Sequence, residues 1–392
     1  MATDTLAAMN DDQRRISRAL SQLLADSIAE NGPMPFAEYM HRCLYEPGLG
    51  YYVNGLSKLG ADGDFVTAPE LSPDFAQCIA AQCAEVFTVI GGGSMIEFGG
   101  GSGRMAVDVL LALDRLEALP DHYYLLDVSA DLKHTQQQTV NANLPPALAS
   151  RVQWVNSFVD GFCGVVVANE LFDAFPVQRF GVTDTGVTMQ CINFNEQRGF
   201  FVCDVSDQAT SRQVEIIERS TGAGLTVGYR AEYCPVVEPW WQSLAQSIDT
   251  AAVLVCDYGC DRSSYYSPLR SSGSVRCFFR HQLHDNPLIY QGVQDITADV
   301  DFTALAEAAV NTGFSLEGYT TMTQFMVSLG ALERHQQAVD RLDQQRSMIA
   351  TGKFKQVLLP EEMGERFMVA GFSKNISPVL SGFAKGDQSR LL

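Results

Sequence analysis

The chain has 392 residues, of which 46% are hydrophobic and 19% charged, material for one large globular domain or a domain with a substantial insertion. No uninterrupted apolar run is long enough for a membrane span, and a formal net charge of −19 disfavours a nucleic-acid partner while suiting a cationic one such as a basic protein. The ten cysteines are scattered without a C-x-x-C pair, and Met1 to Asp12 carry acids but no basic stretch, so the expectation is reduced thiols, no transit peptide and a cytoplasmic location.

In chain order, Ile16, Leu20, Leu23, Leu24 and Ile28 recur at helical spacing and predict an amphipathic helix closed by Asn31-Gly32-Pro33. A second helix is predicted around Pro35 to Met40, and Glu46 to Tyr52 reads as a loop. Gly63 to Ser72 (GDFVTAPELS) holds residues that a plain linker would not need. Ser72 followed by Pro73 has the form of a helix N-cap and first helical position. Phe75, Ile79, Val86 and Phe87 then mark an apolar face, broken by Gly91-Gly92-Gly93.

Ser94 to Phe98 is a short apolar run containing Glu97, and glycines follow at alternate positions: Gly99, Gly101 and Gly103. A helical pattern then begins, with Val109, Leu113 and Leu116 on one face. This predicts strand, tight turn and helix. Glycine lets backbone turn sharply and approach a ligand, and the helix N-terminus beyond offers free N–H groups. Gly101 to Ala106 formally satisfies the dinucleotide pattern G-x-G-x-x-G/A; Glu97, Gly99, Gly101 and Gly103 satisfy the E/D-x-G-x-G-x-G turn of S-adenosylmethionine enzymes. A merely structural loop is the third reading. Glu97 favours the second, because a carboxylate there can meet the methionine ammonium but would repel a pyrophosphate. The next apolar run, Tyr123 to Leu126, ends in Asp127, placed to accept hydrogen bonds from a ribose diol that both cofactors carry.

Strands are predicted at 94–98, 122–127, 151–155 and 164–168, alternating with helices as in a parallel α/β sheet with right-handed crossovers. The fourth is apolar throughout, as in a strand covered on both faces, and runs into Asn169 to Pro176 (NELFDAFP). Segments 186–193 and 199–205 predict an antiparallel pair inserted off the main sheet. A helix near 236–248 leads to a fifth strand, Ala252 to Cys256, ending in Asp257. A loop-rich excursion to about Gln294, a helix from Asp301, helices near 323–350 and a last strand from Arg366 to Phe372 complete the chain.

Ligands of open parallel sheets sit at the carboxyl ends of strands. Those ends carry Glu97, Asp127, Asn169, Glu170 and Asp257, with Asp173 just beyond. Clustered carboxylates are costly unless cations or hydroxyls share the site. A sulfonium, an ammonium and a guanidinium would meet that need; the plainer alternative is that Glu170 and Asp173 cap a following helix. No G-x-S-x-G elbow is present. Cys256 with Cys260, and His281 with His284, are read as ordinary residues, so no metal is expected.

Taken together, Gly50-Tyr51-Tyr52, GDFVTAPELS, Glu97 to Gly103, NELFDAFP, Asp257-Tyr258-Gly259, Asp295 to Phe302 (DITADVDF) and Leu359 to Phe367 (LPEEMGERF) span most of the chain in order. In these blocks the chain resembles the MidA family of class I methyltransferases, whose mitochondrial members are complex I assembly factors that dimethylate an arginine. It departs from the family where Asp299 stands for a usual His, Ser274 for Thr, and Asp127 for a common Glu.

The resemblance implies an α/β fold: a Rossmann-like class I methyltransferase sheet with an N-terminal helical region and an inserted antiparallel, loop-rich substrate region. By sequence this gives 1–93 as the helical and active-site-loop region and 94–180 as the first part of the cofactor core. Residues 181–250 form the inserted β/α part, and 251–392 the rest of the core with its loop-rich insertion and C-terminal helices. It also implies S-adenosyl-L-methionine as cofactor and a protein substrate with an accessible arginine, a respiratory complex I subunit among the candidates. Glu97, Gly99, Gly101, Gly103, Asp127, Thr67 and Asn169 are the expected cofactor residues; Glu170, Asp173 and Asn169 are the expected catalytic ones. Asp64, Thr67 and Glu70 are the polar candidates of a loop closing over the cofactor. A catalytically degenerate fold acting as a binding or assembly factor, a nicotinamide oxidoreductase and a homodimeric state remain open at this point.

Overall fold

Seven of the eight strands described in the main sheet form its continuous order: β1 (Ser94–Phe98), β2 (Tyr123–Leu126), β3 (Val152–Val155), β4 (Phe162–Asn169), β5 (Ile248–Cys260), β6 (Ser315–Thr321) and β7 (Phe367–Lys374). They lie in the order 3-2-1-4-5-7-6. The pairs among β1 to β5 are parallel, and β7 runs antiparallel to both β5 and β6. The sequence predicts all of these strands except β6. That strand reads SLEGYTT, with a charge and a glycine where an apolar run would be expected, and its first half is not buried.

The computed structural model describes residues 9–56, 67–222, 224–378 and 380–392. Two compact units interleave along the chain. The sheet belongs to the unit made of Val66–Phe172, Glu238–Gly259 and Phe302–Leu392. Its first long helix, α1 (Pro73–Ile90), starts where the sequence predicts: the Ser72 side chain accepts the Asp74 N–H, Pro73 holds the first helical position, and left-handed Gly91 ends it. Phe75, Ile79, Val86 and Phe87 pack in one core with Met95 of β1 and with Val109, Leu110 and Leu113 of α2 (Arg104–Arg115). Burying each large side chain contributes roughly 1.5–3 kcal/mol, so this face fixes α1 and α2 on the sheet.

The centre of the sheet depends on one missing side chain. Gly164 of β4 is the parallel partner of Ser94 at the start of β1, and a Cβ on it would lie 1.8 Å from the Ser94 carbonyl oxygen. No rotamer change relieves a clash with backbone.

The second unit comprises Met1–Phe65, Asp173–Val237 and Cys260–Asp301. Its helix Asp11–Asn31 opens on a capping box between Asn10 and Gln13, and buries Leu20, Leu24 and Ile28 against Phe36, Tyr39, Met40 and Leu44. The predicted antiparallel pair is present, Gly186–Asn195 against Gly199–Val205, but it is part of a five-stranded sheet that also recruits Gln178–Thr183, Arg230–Tyr233 and Met34–Pro35. The stretch predicted as loop-rich contains a three-stranded antiparallel sheet of Arg276–Phe279, Gln282–His284 and Asp295–Thr297. Among the described residues no helix is long and apolar enough to cross a membrane.

Candidate cofactor and acceptor site

The strand order reverses between β1 and β4: from β1 the chain moves outward to β2 and β3, and from β4 it moves the other way. A crevice opens at such a switch point, beyond the strands' carboxyl ends. Phe98 and Ala168 are the last parallel pair there, so Gly99 and Asn169, the next residue on each strand, line the two sides of the crevice.

On the β1 side, Gly99, Gly101 and Gly103 all have positive φ, at 65°, 51° and 83°. That is the left-handed region where a side chain costs most. Gly103 sits at the N-cap of α2 with no side chain to cap it, so the first-turn N–H groups beyond that of Arg104 are available to a ligand. The Ser102 hydroxyl accepts the Arg104 N–H at 3.2 Å and donates to the Glu70 carboxylate. This ties the turn to the end of the GDFVTAPELS stretch. Asp64 lies outside the described residues. Thr67 is half-buried and precedes the short helix Ala68–Leu71 without a side-chain cap bond.

Glu97 is buried, and its Oε2 accepts the Tyr123 hydroxyl at 2.5 Å. Burial pushes its pKa up to about 7, against the lowering effect of the Tyr123 bond, with nearby Asp127 raising it further. A buried carboxyl poised there is readily converted to carboxylate by an adjacent ammonium.

Asp127 follows the last residue of β2. Its Oδ1 accepts the Ser129 N–H at 2.9 Å and its Oδ2 the Gln136 side-chain amide at 2.9 Å. Two carboxylate oxygens offer about four acceptor positions, so capacity remains for a diol. Gln136, on helix α3 (Ala130–Asn143), is a residue the sequence did not single out.

On the β4 side, Asn169 Nδ2 donates to Glu170 Oε1 at 3.2 Å, while its Oδ1 is buried with no hydrogen-bond partner among the described residues. An orphaned buried acceptor at a switch point calls for a donor from a ligand, and an amino acid's ammonium supplies one. The glycine turn, the Asp127 carboxylate and this orphan oxygen together fit S-adenosylmethionine.

Glu170 has φ 49°, unusual for a residue with a side chain. Three backbone bonds hold it there: its own N–H donates to Cys256 O at 2.9 Å, and the N–H groups of Leu171 and Phe172 donate to Asp257 Oδ2 at 3.1 and 2.8 Å. Asp257 thus holds the backbone of this turn through Oδ2, while its Oδ1 accepts the Tyr258 N–H at 2.9 Å. No helix follows; residues 170–177 form turns and the next element is a strand. The capping alternative is removed.

Asp173 begins its stretch of the second unit, and there it is buried. Burial pushes its pKa up to about 6, opposed by the Ala174 N–H and the Arg276 guanidinium. Its carbonyl accepts the Ala298 N–H at 3.0 Å. Next along the chain, the Asp299 carboxylate pairs with both Arg270 and Arg276. The Asp299 N–H donates to Ser274 Oγ at 2.9 Å, and that hydroxyl donates to buried Glu232 at 2.6 Å. Two of the three departures noted in the sequence, Ser274 and Asp299, are thus in direct contact.

Residues 78–320 match the model of a family described as "Putative S-adenosyl-L-methionine-dependent methyltransferase". Over 379 residues, 90% of this chain and 86% of the relative, the chain is 29% identical to the mitochondrial protein arginine methyltransferase NDUFAF7 of Danio rerio. The Homo sapiens protein of the same name is 28% identical over 374 residues, 87% of this chain and 80% of the relative. A crystal structure of a Burkholderia thailandensis protein bound to S-adenosyl-homocysteine superposes with a TM-score of 0.90 at 33% identity, over 98% of this chain and 99% of that one. An uncharacterised protein of the same organism gives 0.90 at 34% identity, over the same shares. The mitochondrial relatives overturn the cytoplasmic location expected from the sequence. Reduced cysteines and an acidic start are compatible with any reducing compartment and do not select the cytoplasm.

Proposed function

This chain belongs to the MidA family of class I S-adenosyl-L-methionine-dependent methyltransferases, and we propose that it methylates a guanidino nitrogen of an arginine in a protein substrate. S-adenosyl-L-methionine is the cofactor; it supplies a methyl group on a sulfonium whose charge is lost on transfer. The chain's own residues do the rest. Gly99, Gly101 and Gly103 let backbone approach the cofactor, Asp127 takes the ribose diol, and Glu97 with Asn169 Oδ1 receives the ammonium. Thr67 and Glu70 belong to the stretch that closes over it. Most of the rate enhancement then comes from alignment of the two reactants.

Arginine is a cation at any physiological pH, and a planar fork suits carboxylates that grip it in pairs. Glu170 is the carboxylate assigned to that task; Asp173, which belongs to the other unit, is the second one expected from the sequence. Methylation of a guanidinium releases one proton overall, and an ionised carboxylate beside the attacking nitrogen can accept it. The names of the relatives, protein arginine methyltransferases, support an arginine acceptor. The observation that carries the assignment is Glu170: a left-handed backbone held by three hydrogen bonds, strain of the kind that persists where a side chain must be presented in one direction. A subunit of respiratory complex I is the first substrate to try, as the family resemblance implies.

The test is Glu170→Gln. Cofactor affinity by calorimetry should stay near wild type, while single-turnover methylation of an arginine substrate falls by about 100-fold or more, the scale of losing one preorganised electrostatic group. Normal turnover would remove Glu170 from the mechanism. Labelled-methyl transfer into a mitochondrial lysate, with mass spectrometry of the labelled band, tests the acceptor. Label on lysine or on a small molecule would overturn the arginine assignment.

A further inference from the structure

Gln136 is wholly buried on α3, and every polar atom of its side chain is engaged. Its Nε2 donates to the Gly101 carbonyl at 3.2 Å and to Asp127 Oδ2 at 2.9 Å; its Oε1 accepts the Trp154 indole N–H at 3.0 Å. The indole is donor only and the carbonyl and carboxylate are acceptors only, so these partners admit a single orientation of the amide. The backbone is as close as the side chain: a Cβ on Gly103 would lie 3.1 Å from Gln136 Cα. One residue on α3 therefore touches the turn after β1, the acid after β2 and the indole of β3.

We propose that Gln136 is the positioning residue of the cofactor cradle, fixing the Asp127 carboxylate and the Gly101 carbonyl in a single geometry so that the ribose diol and the turn are recognised together. An aspartate free to rotate would spread its acceptor positions over many orientations and give up the orientational advantage of a preformed site. The Ser129 N–H anchors one carboxylate oxygen and Gln136 the other, leaving defined lone pairs for the diol. Through Oε1 the same amide is braced by Trp154, which keeps its two donors pointed at the turn and at Asp127. This inference rests on the reading of Asp127 as the diol acceptor.

The experiment measures the dissociation constants of S-adenosylhomocysteine and of its 2′-deoxyribose analogue on wild type, Gln136→Ala, Gln136→Glu and Asp127→Ala, with melting temperatures recorded for each. Wild type should prefer the full diol. In Gln136→Ala the preference should collapse towards one, and affinity for S-adenosylhomocysteine should drop about tenfold, the equilibrium weight of one good hydrogen bond to a charged group. Gln136→Glu keeps the volume and the acceptor for Trp154 but turns the donor into a carboxylate facing Asp127. Its binding should recover as pH falls and a proton is shared between the two acids. A residue that serves only packing would weaken both ligands equally and leave their ratio unchanged; that result, with the ratio lost in Asp127→Ala, overturns the proposal. A ratio preserved in Asp127→Ala overturns instead the diol reading beneath it.

Discussion

The turn after β1 and the cluster around Asp299 are both dense in polar groups, but they are built in different ways. In the turn, backbone conformation sets the shape: three glycines at positive φ and a short hydroxyl at Ser102. In the cluster, charge sets it: Asp299 draws together Arg270 and Arg276, which lie 29 and 23 residues away in sequence, and Ser274 joins it to Glu232 across 42 more. A backbone-built site tolerates almost no change in residue type yet can be recognised locally. A charge-built site tolerates substitution by degrees and leaves no local spacing to recognise.

The sharpest way to separate the two is Gly101→Val. A branched side chain at φ 51° both strains the backbone and fills the approach to the ligand. S-adenosylmethionine binding should be abolished in calorimetry while the fold, judged by circular dichroism, is largely kept; binding within threefold of wild type would show that the turn does not meet the cofactor.

A graded response is expected one residue beyond β2. Asp127→Ala should weaken cofactor binding by about 1.5–3 kcal/mol, the range for a hydrogen bond involving a charged group. Asp127→Glu should be tolerated, as the family's own choice of Glu there implies. Equal losses in the two variants would mean that Asp127 does not grip the ribose.

In the other unit the expected effect is smaller and of a different kind. Asp299→Asn leaves two guanidinium groups, each about a third exposed, without their shared anion. Unfolding in urea should show a loss of roughly 1–2 kcal/mol, less than for a fully buried pair because solvent screens it. Added salt should shrink that difference, and cofactor affinity should not change. A change in cofactor affinity would break the comparison.

The last effect is a slope with pH. Because burial raises the Glu97 carboxyl to about 7, above its unfolded value, its contribution to stability is complete below the unfolded pKa and is lost as pH rises through about 7. Melting temperatures of the cofactor-free protein followed from pH 5 to about 8 should fall more steeply for wild type than for Glu97→Gln. Parallel curves would mean that Glu97 is already ionised in the folded state.

Much of the cofactor side can be read from the sequence, because its demands are short-range. Ser72-Pro73 marks the start of α1, Gly91 its end, and alternate glycines mark the turn, each within a few residues of the feature it creates. Gln136 escapes such reading since its partners Gly101 and Trp154 are 35 and 18 residues away; a glutamine in a polar helix carries no mark of what it will touch. Strand β6 escapes because an edge strand needs no apolar run, and the extent of the five-stranded sheet because Met34–Pro35 joins it across more than 150 residues through partners Ile192 and Cys191. Glu170 was recognisable as a strand-end carboxylate, but its left-handed backbone and the bonds that the Leu171 and Phe172 N–H groups donate to Asp257 depend on a strand 86 and 85 residues onward. Location proved the least legible, since reduced thiols report redox environment and nothing finer.

Gly164 has a consequence for inherited variation. Every coded amino acid other than glycine carries a Cβ, and at this position that single atom would fall 1.8 Å from the Ser94 carbonyl oxygen. All missense alleles of codon 164 should therefore behave as one class, whatever the chemistry of the new residue: the product would fail in assembly of the sheet and be cleared by quality control before it met cofactor or substrate. This codon should be as intolerant as those of the site itself, although Gly164 lies towards the opposite end of β4 from Asn169.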